Sequence, residues 1–183
     1  NGAVLTTDRC GRPNRAYLFN GNSSYINVTD HADLRPGHIS ISIWLIANAL
    51  QSGAITGFPL YKSELNPPTS APQSQRPRLE QYCLSYDSQA GFHVKRNSNG
   101  AALTGWQRAR SNSVIRGKWE HLVGIWDGTN VRLYINGQQV ASTGGPAGNI
   151  DNLPGGNLRF GTGWQSPGIM HWDGALDDIR IYN

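Results

Sequence analysis

From His38 to Trp44 the chain alternates, with Ile39, Ile41 and Ile43 on one side and Ser40 and Ser42 on the other. A period of two predicts a half-buried strand. Glu120 to Trp126 is apolar on both faces, as expected of a central strand covered on two sides. Asp127-Gly128 then predicts a turn. Val131 to Ile135 alternates again and stops at Asn136-Gly137, a strong short hairpin signal. Val140-Ala141 resumes as the return strand. Ala16 to Phe19 runs into Asn20-Gly21, and Tyr25 to Val28 follows; Phe92 to Arg96, Leu158 to Phe160 and Leu176 to Tyr182 give further strands. No stretch carries the period of an amphipathic helix. Short strands with Gly-rich turns between them predict an all-β domain, a sandwich or a barrel.

Two stretches break the rhythm. Ser63 to Arg78 holds four prolines and almost no apolar residue. It predicts a long polyproline-like loop inserted in one domain spanning 1–183, since strand patterns flank it on both sides. Thr143 to Gly156 is a second loop, rich in Gly and Pro. Long loops on a rigid sandwich are where binding residues tend to sit. The tetrapeptide Thr-Gly-Trp-Gln occurs twice, at 104–107 and 162–165, but the flanks differ and no duplication follows.

Only 15% of residues are charged, against 22 glycines and 10 prolines, which excludes a helical bundle and a disordered chain. No run of about eighteen apolar residues exists, so no membrane-spanning helix is expected. The sequence opens in mid-pattern at Asn1 without a signal peptide and reads as a mature fragment or excised module. Cys10 and Cys83 lack metal-site spacing; they are either a disulfide across the sheets, in an exported protein, or small buried hydrophobes. The +4 net charge is uneven: from Lys62 to Lys118 nine basic residues face three acids. Thirteen of the sixteen cations are Arg, the side chain that makes forked contacts to carboxylate, sulfate or phosphate.

Three stretches carry a family resemblance: TTDRCGRPNRAYLFNGNSSYINV near the start, KWEHLVGIWDGTNVRLYINGQQVAS in the middle, and WDGALDDIRIYN at the end. Their order and content resemble bacterial laminin-G-like domains of the concanavalin A-like lectin/glucanase superfamily over nearly the whole chain. Cys10 departs from the pattern, standing where the family usually has an aromatic. The resemblance implies two stacked antiparallel sheets in jelly-roll order. It places His121 at a structural core position. It also implies a structural calcium ion where the closing-strand Asp177 meets the Asn20-Gly21 turn; the alternative is that Asp177 caps backbone amides and Asn20-Gly21 is only a turn. The fold alone gives no function, since it hosts lectins, hydrolases, adhesion modules and spacers.

A retaining glycanase needs two carboxylates about 5 Å apart. None of the twelve acids forms the superfamily's one-strand carboxylate pattern. The five histidines show no paired metal spacing. A lyase would need a base beside an Arg, for which only Tyr86, His93 and Arg96 come into view. Four of the six tryptophans have structural explanations: Trp44 in a core strand, Trp119 and Trp126 around the central one, Trp172 in the closing motif. Trp106 and Trp164 fall in loops. Each either covers a sheet edge or stacks on the apolar face of a sugar, with neighbouring Gln and Arg satisfying hydroxyls and acidic groups.

These readings converge on a non-catalytic, secreted bacterial carbohydrate-binding module for an anionic polysaccharide, one part of a larger protein. Its expected ligand residues are His93, Arg96, Trp106, Gln107, Arg108, Arg110, Trp164 and Gln165. The alternative is an adhesion or spacer domain contacting protein; a hydrolase or lyase comes third. A net charge of +4 with few lysines makes nucleic acid a poor partner. Asn22 and Asn27 stand in glycosylation sequons that matter only in a eukaryotic host.

Overall fold

The computed structural model describes residues 1–48, 57–63, 80–95, 106–150, 154–163 and 171–183. In chain order the strands are β1 (Val4–Thr6), β2 (Ala16–Asn20), β3 (Ile26–Val28), β4 (Ile39–Ala47), β5 (Leu60–Ser63), β6 (Glu80–Tyr86), β7 (Ala90–Lys95), β8 (Trp106–Ser111), β9 (Glu120–Trp126), β10 (Asn130–Ile135), β11 (Gln138–Gly144), β12 (Leu158–Phe160) and β13 (Asp173–Tyr182). A single 3-10 turn at Ala32–Leu34 is the only helical element among the described residues. The strands form an antiparallel jelly-roll sandwich. One sheet has the order β1-β2-β13-β4-β9-β10-β11, the other β3-β12-β5-β6-β7-β8.

The isoleucine alternation of β4 places Ile39, Ile41, Ile43, Leu45 and Ala47 in the core, with the residues between them half-buried. Strand β9 departs from expectation. Leu122, Gly124 and Trp126 are buried, but His121, Val123 and Ile125 face outward and stay half-exposed. An antiparallel sheet needs only one face on the core. Across the sandwich, Phe92 of β7 lies against Gly124: a Cβ there would sit 2.4 Å from its ring. Leu84, Tyr82, Val94 and Leu133 join the same core, each contributing about 1.5–3 kcal/mol of burial. The β10–β11 hairpin turns at Asn136 (φ 50°) and Gly137 (φ 81°), the left-handed pair a two-residue turn requires.

Lys62 is fully buried, so it belongs to the frame and not to the basic surface the sequence suggested. Its Nζ donates to Asp30 at 2.7 Å and to the Gly156 carbonyl, while the Gly155 N–H donates to the other Asp30 oxygen at 2.8 Å. Burial pulls Lys62 below its usual range despite Asp30. Burial would raise Asp30, but the Gly155 N–H and Lys62 bring its carboxyl below the normal value. The pair therefore ties two loops to β5. Cys10 and Cys83 are not joined in a disulfide; Cys83 is buried in β6 and Cys10 is exposed.

Candidate functional site

Trp106 opens strand β8 and does not lie in a loop as the sequence suggested. The reason is the pairing of Trp-Gln-Arg-Ala-Arg-Ser with β7: Lys95 faces Trp106, His93 faces Arg108 and Gly91 faces Arg110. Because successive side chains alternate, Trp106, Arg108 and Arg110 share the outer face with His93. Gln107 and Ala109 pair with Val94 and Phe92 and point inward. Gln107 thus leaves the expected site: its amide lies where a Cβ on Gly145 would meet it at 2.6 Å. As the last strand of its sheet, β8 presents the outward three as a stripe about 13 Å long.

Trp106 is half-buried, while Arg108 and Arg110 are exposed. The Arg108 guanidinium lies over the indole at 5.7 Å, and the His93 ring meets it nearly at right angles at 6.2 Å. Arg110 donates to Gln89 at 3.4 Å, and Gln89 in turn donates to Asn112. Neither arginine pairs with a carboxylate among the described residues. His93 is buried and within 2.9 Å of the Ser85 hydroxyl. Burial first, then the charges of Arg110 and Arg108, push its pKa down to about 3, so the ring is neutral. Farther along the same face Tyr61, Cys83, Lys95 and Arg159 are buried. The accessible part is therefore the β8 edge. Arg96, Trp164 and Gln165 lie outside the described residues. Ser85 and Gly91 escaped the sequence reading, since nothing in either residue type signals a place beside His93 before the β6–β7 register is known.

The residues expected to hold calcium are not brought together. Asn20 faces Asp173 across the β2–β13 pair, whereas Asp177 faces Trp44. Asp177 lies four residues beyond Asp173, on the order of 13 Å along a strand. Its carboxylate accepts from Arg9 at 2.6 Å, and that guanidinium also rests over Trp44 at 5.0 Å. The Asn20 side-chain oxygen is taken by the N–H groups of Asn22, Ser23 and Ser24 and by the Ser24 hydroxyl. Asn20, Gly21 and Asp177 do not fit one ligand set. A guanidinium already supplies the positive charge at Asp177.

The lyase constellation also separates. Tyr86 points into the core, donating to Glu120 and to the Ile115 carbonyl, while His93 points out. Glu120 is buried beneath the 112–116 segment, whose Ile115 N–H it accepts at 3.1 Å. His121 is not in the core as the resemblance implies but half-exposed on the outer face of β9, where it is nonetheless partnered: it stacks on Trp44 at 5.0 Å and meets the Ser42 hydroxyl at 2.8 Å.

A laminin-G family model of the concanavalin A-like lectin/glucanases superfamily matches residues 20–183, and the chain belongs to that family. No curated protein matches the sequence. Among solved structures, domain 4 of AbnA, an extracellular arabinanase of Geobacillus stearothermophilus in complex with arabinotriose, is similar over all of this chain and 76% of that one (TM-score 0.65, 20% identity). Domains LG4-5 of the mouse laminin alpha1 chain are similar over 95% of this chain and 42% of that one (TM-score 0.60, 17% identity). The binding domain of Paraclostridial Mosquitocidal Protein 1 is similar over 100% and 42% (TM-score 0.63, 15% identity). At these identities the likeness is one of fold.

Proposed function

We propose that this chain is a non-catalytic, extracellular carbohydrate-binding module that holds an anionic polysaccharide along β8. The observation that carries this is the pairing state of the arginines. Arg9, Arg12, Arg35, Arg132 and Arg180 each lie against a carboxylate. Arg108 and Arg110 stand exposed beside a half-buried indole with no carboxylate partner among the described residues. An indole that packs a sugar ring, next to two forked donors for sulfate or carboxylate, suits an acidic glycan. The fold neighbour solved with arabinotriose supports a glycan as ligand class, and its extracellular origin supports an exported module. Binding without turnover agrees with the nearest nucleophile-and-base pair. A His93 ring held near pKa 3 is a feeble proton acceptor for Ser85.

Native affinity electrophoresis in heparin, alginate and neutral dextran, at two salt concentrations, tests the reading. The wild type is expected to be retarded by the acidic glycans, less so at high salt. Trp106→Ala and Arg108→Ala/Arg110→Ala are expected to weaken retention about tenfold each, roughly 1.4 kcal/mol. Free migration of the folded wild type through every gel would remove the proposal.

A second reading, protein contact, has one observation behind it. At the β1–β2 edge Val4, Leu5, Tyr17 and Leu18 are all exposed, the first two more than half. Adjacent exposed apolar side chains on an edge strand suit pairing with another protein's strand. Leu5→Lys would then abolish association while leaving glycan retention intact.

A further inference from the structure

We infer that Gly91, Ser85 and His93 form a positioning support that fixes the angle at which the Trp106 indole is presented. This rests on the reading of Trp106 as the stacking platform. Gly91 precedes His93 by two residues on β7, so both face outward, and Gly91 also sits in register between Ser85 and Arg110. A Cβ built on Gly91 would lie 2.5 Å from His93 Nε2 and 2.7 Å from Ser85 Oγ. The space a side chain would take on β7 is therefore filled by the Ser85–His93 hydrogen bond. Alanine fits the backbone of Gly91, whose φ is not among the positive ones, so the steric demand alone keeps glycine here.

The consequence reaches Trp106 through contact. Ser85 Oγ holds His93 Nε2 at 2.9 Å, and both residues are buried, so the imidazole has one orientation. That ring stands at 78° to the indole, an edge-to-face arrangement that resists rotation of Trp106. Arg108 packs over the indole itself. Two neighbours thus limit the indole's freedom before any ligand arrives, and a preorganised platform loses less entropy on binding. The neutral state of His93 belongs to the same device, because a charged ring would repel Arg108 and Arg110 and open the stripe.

The test labels the protein with 5-fluorotryptophan and follows the Trp106 fluorine resonance, assigned by its loss in Trp106→Phe. Gly91→Ala and Ser85→Ala, with folding checked by thermal melting, are titrated with heparin. The support predicts that both variants shift or broaden the Trp106 resonance without ligand and lose about tenfold in affinity. Ser85→Thr, which keeps the hydroxyl, recovers the wild-type resonance and affinity. An unmoved resonance with unchanged affinity in folded Ser85→Ala overturns the inference, even where Gly91→Ala does not fold. Heparin affinity unchanged in Trp106→Ala would instead remove the platform reading itself, whatever Gly91 and Ser85 do.

Discussion

Two sets of cations behave oppositely in this protein, and single residues show why. Lys62 is buried and satisfied; Arg108 and Arg110 are exposed and lack a carboxylate among the described residues. Removing one partner of a buried ion pair leaves the other charge without compensation, which costs about 3–5 kcal/mol. Lys62→Met is therefore expected to lower stability by up to that amount in urea denaturation, with Arg35 and the Gly155 N–H at Asp30 offsetting part of it. The double change Lys62→Met/Asp30→Leu is expected to recover much of the loss, since no lone charge stays buried. Arg35 already lies 3.5 Å from Asp30, so a Lys62→Met protein as stable as the wild type would show that this second cation alone compensates the carboxylate. At Asp177 the corresponding prediction concerns calcium. With Arg9 already on the carboxylate, saturating calcium is expected to move the melting temperature no more than EDTA does. A calcium-dependent rise lost in Asp177→Asn would reverse that assignment.

Strands differ in how far they announce themselves, and β4, β10 and β8 mark the range. β4 and β10 were legible because β-branched and aliphatic residues recur every second position on the core face. β8 was not, because its inward residues are Gln107, Ala109 and Ser111, which carry no apolar period. An edge strand covered at one rim can place small and polar residues inward, so hydrophobic alternation fails there, and with it the location of Trp106. The closing motif was legible as a strand but not in register. β13 carries a bulge between Asp177 and Arg180, with Asp178 at φ 45°, and only the completed pairing shows which Asp meets Asn20. Glycine matters here for approach between sheets as much as for turns. Gly124→Ala drives a methyl into the Phe92 ring, and overpacking of this kind costs about 1–3 kcal/mol. Pairing it with Phe92→Leu, which makes room, is expected to return part of that loss. An unchanged denaturation midpoint in Gly124→Ala would mean that the sheets can part there without cost.

For the whole molecule, the neutral histidine beside the arginine stripe sets a pH dependence of fixed sign. In the unfolded chain His93 titrates near 6.5, whereas in the fold burial and the charges of Arg110 and Arg108 bring it down to about 3. Between those values the unfolded state binds a proton that the folded state refuses. Stability therefore rises with pH through this window and falls as acid is added, by at most about 1.4 kcal/mol per pH unit from this group. Burial lowers His121 and His171 as well, so they add to the same slope. His93→Gln is accordingly expected to flatten the fall in denaturation midpoint between pH 7 and 4.5 without abolishing it. Glycan affinity should separate from stability. His93 stays neutral in the folded protein throughout that range, so retention by a sulfated glycan, whose charge is also constant there, is expected to be flat from pH 7 to 5. A rise in affinity through that interval would mean that His93 gains its proton when ligand binds, making it a direct contact for the anion and no longer a support for Trp106.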